Sequence, residues 1–134
     1  MSRLRQWPNT EPTTDWTASH VPAANTKATI TQAAPGAGLR LVATGLTVTL
    51  AAGSTAPTAV NVTVTLIDGA SGGSTYLWRT TLSLPATAGA NVSLTRECLW
   101  LWGTANTAMT LEFSAAGGAN TIESVSLEGT TVRA

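Results

Sequence analysis

Apolar residues recur at every second position along most of this chain, in short runs separated by Gly, Pro and Asn. That period puts them on one face of an extended strand. The clearest run is 59–68, where Val60, Val62, Val64 and Leu66 alternate with Asn61, Thr63 and Thr65. Residues 39–51 form a longer one, with Leu46, Val48 and Leu50 set against Thr47 and Thr49. Gly45 interrupts it, which predicts a bulge or bend that lets one strand serve two sheets. Residues 75–84 place Tyr76, Trp78, Thr80, Leu82 and Leu84 on one face. Pro85 ends that run, because proline donates no ladder hydrogen bond. Further strands are predicted at 26–33, around Val92 and Leu94, at 99–102, at Met109–Phe113 and at 122–127. In the last, Ile122 and Val125 are out of phase, which predicts a bulge at Glu123-Ser124. No segment carries an i, i+3, i+4 apolar stripe, so almost no helix is expected.

Eight short strands with turn signals between them predict an all-β, antiparallel, eight-stranded jelly-roll-like sandwich. The abundant threonines agree, since β-branched side chains fit a pleated surface. The stretch Asp68-Gly69-Ala70-Ser71-Gly72-Gly73 reads as a turn, with Asp68 at its start. An immunoglobulin-like sandwich is the main rival. Its disulfide framework is impossible here, because Cys98 is the only cysteine. Cys98 itself, beside an apolar run, reads as a small core residue.

Residues 1–25 do not follow this pattern. They hold three of the six prolines, two of the five tryptophans and the only histidine, and show neither a helical nor a strand period. The expected organisation is therefore an extended N-terminal arm, 1–25, ahead of a β-sandwich domain, 26–134. Burying one Trp removes about 150–250 Å² from water, or roughly 4–6 kcal/mol as an upper bound. Ordering one residue's backbone costs about 1–2 kcal/mol. Two tryptophans can therefore fix a few residues each. The arm is expected to be held at Trp7 and Trp16, with the rest added by strand pairing or left mobile. A second anomaly is Leu99-Trp100-Leu101-Trp102, which is apolar on both faces if extended. One of those faces then needs cover, from the arm or from another subunit. The candidate partner-contacting residues are accordingly Arg3, Arg5, Trp7 and Trp16 on the arm, and Trp100 and Trp102 on the body.

Charge narrows the function classes. Only 10% of the residues are charged, and seven basic groups cancel seven acidic ones. Nucleic-acid binding, which needs clustered Lys and Arg, is not expected. No apolar run approaches membrane-spanning length. Met1-Ser2-Arg3-Leu4-Arg5 is followed by Gln6-Trp7-Pro8-Asn9, not by the apolar stretch of a secretory signal, so the chain is expected to start out in the cytoplasm. An enzyme built on His20 needs the arm folded over the body to meet a nucleophile. Glu112 and Glu123 fall on consecutive predicted strands, and are read as solvent-facing rather than as a catalytic pair. Asp68 lacks the further carboxylates of a calcium loop. No enzyme activity, metal or cofactor is expected.

Three stretches carry a family resemblance: residues 20–30 (HVPAANTKATI), 66–73 (LIDGASGG) and 106–118 (NTAMTLEFSAAGG). Over roughly residues 20 to 130 the chain resembles the small β-sandwich or jelly-roll decoration (cement) proteins of tailed bacteriophages, which bind the outside of an icosahedral head. The resemblance implies a non-enzymatic virion protein, made in the host cytoplasm, that clamps neighbouring major-capsid subunits on the capsid surface. It brings no catalytic residue and no capsid-binding residue with it. The charge-poor surface adds an expectation of self-association as a dimer or trimer. A carbohydrate- or receptor-binding module of a phage tail or fibre is the alternative, with exposed Trp100 and Trp102 stacking on sugar rings.

Overall fold

A computed structural model of the chain describes residues 12–134, which contain nine strands and no helix. The strands are β1 (Pro12–His20), β2 (Thr29–Gln32), β3 (Leu39–Ala52), β4 (Val60–Asp68), β5 (Tyr76–Leu84), β6 (Asn91–Arg96), β7 (Leu101–Trp102), β8 (Met109–Phe113) and β9 (Thr121–Arg133). One sheet runs β1-β9-β3-β6, with β7 following β6 along the same edge of β3. The other runs β2-β8-β4-β5. All pairings are antiparallel. With β6 and β7 taken as one broken strand, the sheets read first-eighth-third-sixth and second-seventh-fourth-fifth. That is the strand order of a jelly roll, and it sets aside the immunoglobulin-like rival.

The strand missing from the eight-strand expectation is β1. Residues 12–20 pair with β9 from Pro12↔Val132 to His20↔Val125. Within β1, Trp16, Ala18 and His20 are partly buried, while Asp15, Thr17 and Ser19 are exposed. The period is two, but Ala and His mute it. Trp16 lies opposite Gly129, which lies opposite Ala43, and it packs against the core cluster. A Cβ at Gly129 would lie 2.3 Å from Trp16 Cζ2 and 2.3 Å from the Val42 carbonyl oxygen. The indole therefore lies where any side chain at residue 129 would stand.

The alternating positions supply the core as expected. Leu46, Val48 and Leu50 of β3 face Val62, Val64 and Leu66 of β4, and Leu111 and Phe113 of β8 join them. The irregularity at Gly45 is present, between Ala43 and Gly45. It does not pass β3 to a second sheet, because β3 pairs with β9 along its whole length. Instead it resets the phase, so that Ala43 and Leu46 both point inward.

Three local expectations are corrected. A register shift between Leu66 and Ile67 of β4 puts Tyr76 opposite Ile67, so Tyr76 leaves the face of Leu82 and Leu84 and is exposed. No bulge occurs at Glu123-Ser124, where the register runs unbroken from Ile122 to Leu127. Glu123 itself points inward and is 0% exposed, while Ile122 points out. A buried carboxylate, not an extra residue, accounts for the apparent phase error. Cys98 is exposed rather than in the core. It takes φ +57° at the corner between β6 and β7, which carries the chain round so that Leu99 packs inward.

Gly129→Ala is expected to cost about 3 kcal/mol, since both obstructing groups are in the packed interior. Gly53, with nothing within 4 Å of an added Cβ, is the control, and its alanine variant should stay within about 0.5 kcal/mol of the parent. Urea midpoints of the two variants check this. Equal midpoints would remove Trp16–Gly129 packing as a determinant of the fold.

Candidate functional site

The segment between β6 and β7 is fastened to β3 at both ends. The Leu99 amide donates to the Thr44 carbonyl at 2.9 Å, and the Gly103 amide donates to the Leu41 carbonyl at 2.8 Å. Beyond it, the Thr104 amide and hydroxyl both donate to the Asp68 carboxylate. Between these ties the chain alternates. Leu99 and Leu101 pack on the core, and Trp100 and Trp102 point out, 45% and 38% exposed. Their rings meet edge to face, with centroids 5.8 Å apart and planes at 84°. The Arg40 guanidinium lies over the Trp102 ring, 5.3 Å from its centroid. Cation–π contact fixes that ring, and the Arg40 Nε is buried without a hydrogen-bond partner among the described residues. The result is a rigid aromatic wedge on the outer face of the β1-β9-β3-β6 sheet.

The other candidates are placed differently. Trp16 packs inward on its own body, and its buried indole N–H has no acceptor among the described residues. Arg3, Arg5 and Trp7 lie outside the described residues. Sequence reasoning missed Arg40, because its contact with Trp102 depends on the β3–β7 pairing.

The ionisable groups weighed for chemistry are engaged in structural bonds. His20 Nδ1 accepts from the Thr29 amide at 3.2 Å and ties β1 to β2. Glu112 and Glu123 are both buried, not solvent-facing, and belong to different sheets. Burial alone would raise the Glu112 carboxyl. Lys27 at 2.8 Å, the Ser71 hydroxyl and the Gly72 amide instead hold it below its ordinary value. Burial pushes Glu123 up to about 7, against the opposing pull of the Ala28 and Gly117 amides and the charge of Lys27. One of its oxygens has no hydrogen-bond partner among the described residues. Among the described residues no three His, Cys, Asp or Glu gather as a metal site.

No protein-family model matches this chain, and no curated protein matches it. Among solved structures it is similar to the coat protein of Tobacco streak virus, at 8% identity and a TM-score of 0.35, over 96% of this chain and 90% of that one. The jelly-roll assignment rests on the strand order itself.

The two glutamates give opposite pH dependences. Glu123 binds its proton more tightly in the folded state. Its stabilising contribution is complete below the ordinary carboxyl value of 4.5 and is lost as pH rises through about 7. Glu112 contributes above 4.5, and that contribution is lost as pH falls below it. Between pH 4.5 and 8 the parent is expected to lose up to about 3 kcal/mol relative to Glu123→Gln. Urea denaturation across that range reads the difference, and parallel curves for the two proteins would refute the assignment.

Proposed function

We propose that this is a non-enzymatic virion structural protein that decorates the outer surface of a phage capsid and clamps neighbouring major-capsid subunits. The observation that carries the reading is the Trp100–Trp102 wedge, held rigid and left open on one sheet face. Rigid aromatics beside an arginine are the groups that most often dominate protein contacts. The resemblance of residues 20–130 to capsid decoration proteins supplies the partner.

The magnitudes favour a repeated contact. Covering the exposed parts of both rings removes roughly 170 Å², or about 4 kcal/mol. Before any cost of association, that sets a dissociation constant no tighter than about 1 mM for one wedge alone. Useful affinity then requires several wedges presented together, on a symmetric lattice or from a dimer or trimer of this chain. A protein that binds only the assembled shell stabilises it by linkage, without chemistry. Stacking on a sugar is less favoured at this position. Rings at 84° offer no common platform, and Arg40 already lies over Trp102.

The test is co-sedimentation of the purified protein with assembled phage heads. Trp100→Ala/Trp102→Ala is expected to lose at least about a hundredfold in apparent affinity. Its urea midpoint should move little, because both rings point outward. Undiminished sedimentation of the double variant would overturn the wedge as the contact.

A further inference from the structure

The opposite face of the molecule holds a feature that the capsid reading does not use. We propose that the concavity on the outer face of the β2-β8-β4-β5 sheet binds a monosaccharide-sized ligand carrying a single carboxylate. The 68–75 turn folds back over this face. There the Ser71 hydroxyl donates to Glu112 at 2.7 Å, and the Gly72 amide donates to it at 2.9 Å. Gly73 permits the close approach, since a Cβ there would lie 2.9 Å from Ile67 Cγ2. The folded turn forms one wall. Arg79, stacked over the Tyr76 ring at 4.8 Å, forms another. Thr63, Thr65 and Ser114 line the concavity between them, about 270 Å³ that opens to solvent on one side. That is the scale of one sugar ring and its hydroxyls, not of an extended chain.

The hydrogen-bonding balance selects the ligand class. Glu112 is saturated as an acceptor by Lys27, Ser71 and Gly72, so it has little capacity left for a ligand. Lys27 carries three donors and Arg79 five, and Glu112 accepts from one of them. Among the described residues Arg79 has no carboxylate partner. The site therefore offers charged donors without a free charged acceptor, while the hydroxyls of Thr63, Thr65 and Ser114 can serve either way. Lys27 is offset by Glu112, which leaves one uncompensated positive charge, that of Arg79. One such charge matches a monoanion better than a phosphate dianion. A guanidinium pre-ordered by stacking on an aromatic ring presents a planar fork suited to a carboxylate. Arg79 already lies over one face of the Tyr76 ring, so the half-exposed ring adds an apolar wall beside the ligand rather than a stacking platform.

Titration of the ¹⁵N-labelled full chain with glucuronate, glucose and inorganic phosphate tests the proposal. Glucuronate is expected to saturate in the millimolar range, with shifts confined to residues around Thr63, Thr65, Gly73 and Tyr76. Glucose and Arg79→Gln should each weaken binding at least about tenfold. Arg79 is exposed, so the spectrum of the variant should match the parent elsewhere. Absence of saturable shifts overturns the site, and so does an unchanged affinity in Arg79→Gln. Phosphate binding as tight as glucuronate overturns the carboxylated-saccharide assignment in favour of a bare anion site. Loss of capsid binding in the tryptophan variants leaves this titration unaffected, so the two readings fail separately.

Discussion

Two buried carboxylates, one in each sheet, hold the same dipeptide. Glu112 of β8 takes the Lys27 ammonium, and Glu123 of β9 takes the Ala28 amide. Ala28 is 0% exposed, and its carbonyl accepts from the Phe113 amide. Here the chain passes from β1 in one sheet to β2 in the other. The crossing would otherwise leave backbone groups buried without partners, at a cost of about 1–3 kcal/mol each. His20, bonded to the Thr29 amide, and the Asn25 amide, bonded to the Thr121 carbonyl, complete the junction. Without it neither first strand of the jelly roll has a fixed place.

The same junction explains why residues 12–20 are part of the fold rather than an appendage. With the 20–29 connection fixed, β1 needs only to lie back along β9, and Trp16 enters the space left by Gly129. The main-chain ladder then shares the ordering cost that one half-buried indole could not meet alone. This closes an edge of β9 that would otherwise be open to pairing with other chains. The tether inferred from the tryptophans thus docks, at Trp16, on its own body.

The sandwich was legible because its core strands are simple. Val60 to Leu66 and Leu46 to Leu50 alternate cleanly, and local periodicity was enough to place them. What escaped were positions where one residue broke the pattern for a non-local reason. Glu123 occupies an inward site because the Ala28 amide, 95 residues away in sequence, needs an acceptor. Gly129, which carries no apolar side chain to mark it, is the gap for Trp16. Tyr76 turns outward because of a shift in its pairing with β4. At the candidate site the alternation of Leu99 to Trp102 separated the leucines from the tryptophans, but did not show which pair faces outward. It carried no sign of Arg40, because a contact between strands depends on register and not on spacing.

The threonines give the outer faces a property that suits adhesion. Thr47–Thr95, Thr49–Ser93, Thr63–Thr81 and Thr31–Thr110 pair their hydroxyls across neighbouring strands at 2.9–3.2 Å. Cross-strand pairs of this kind stabilise a sheet by a few tenths of a kcal/mol each and require no charge. A face built this way already has one bond made within each hydroxyl pair. Laying it against another protein removes water from paired hydroxyls, which is far less costly than desolvating lysines and glutamates. The low charge content is therefore consistent with a surface that spends its life covered. Two cations at the candidate sites, the partly buried Arg40 and the exposed Arg79, are each stacked on an aromatic ring. Charge is retained there in a form already fixed in direction, where it can select a partner rather than merely keep the protein apart from others.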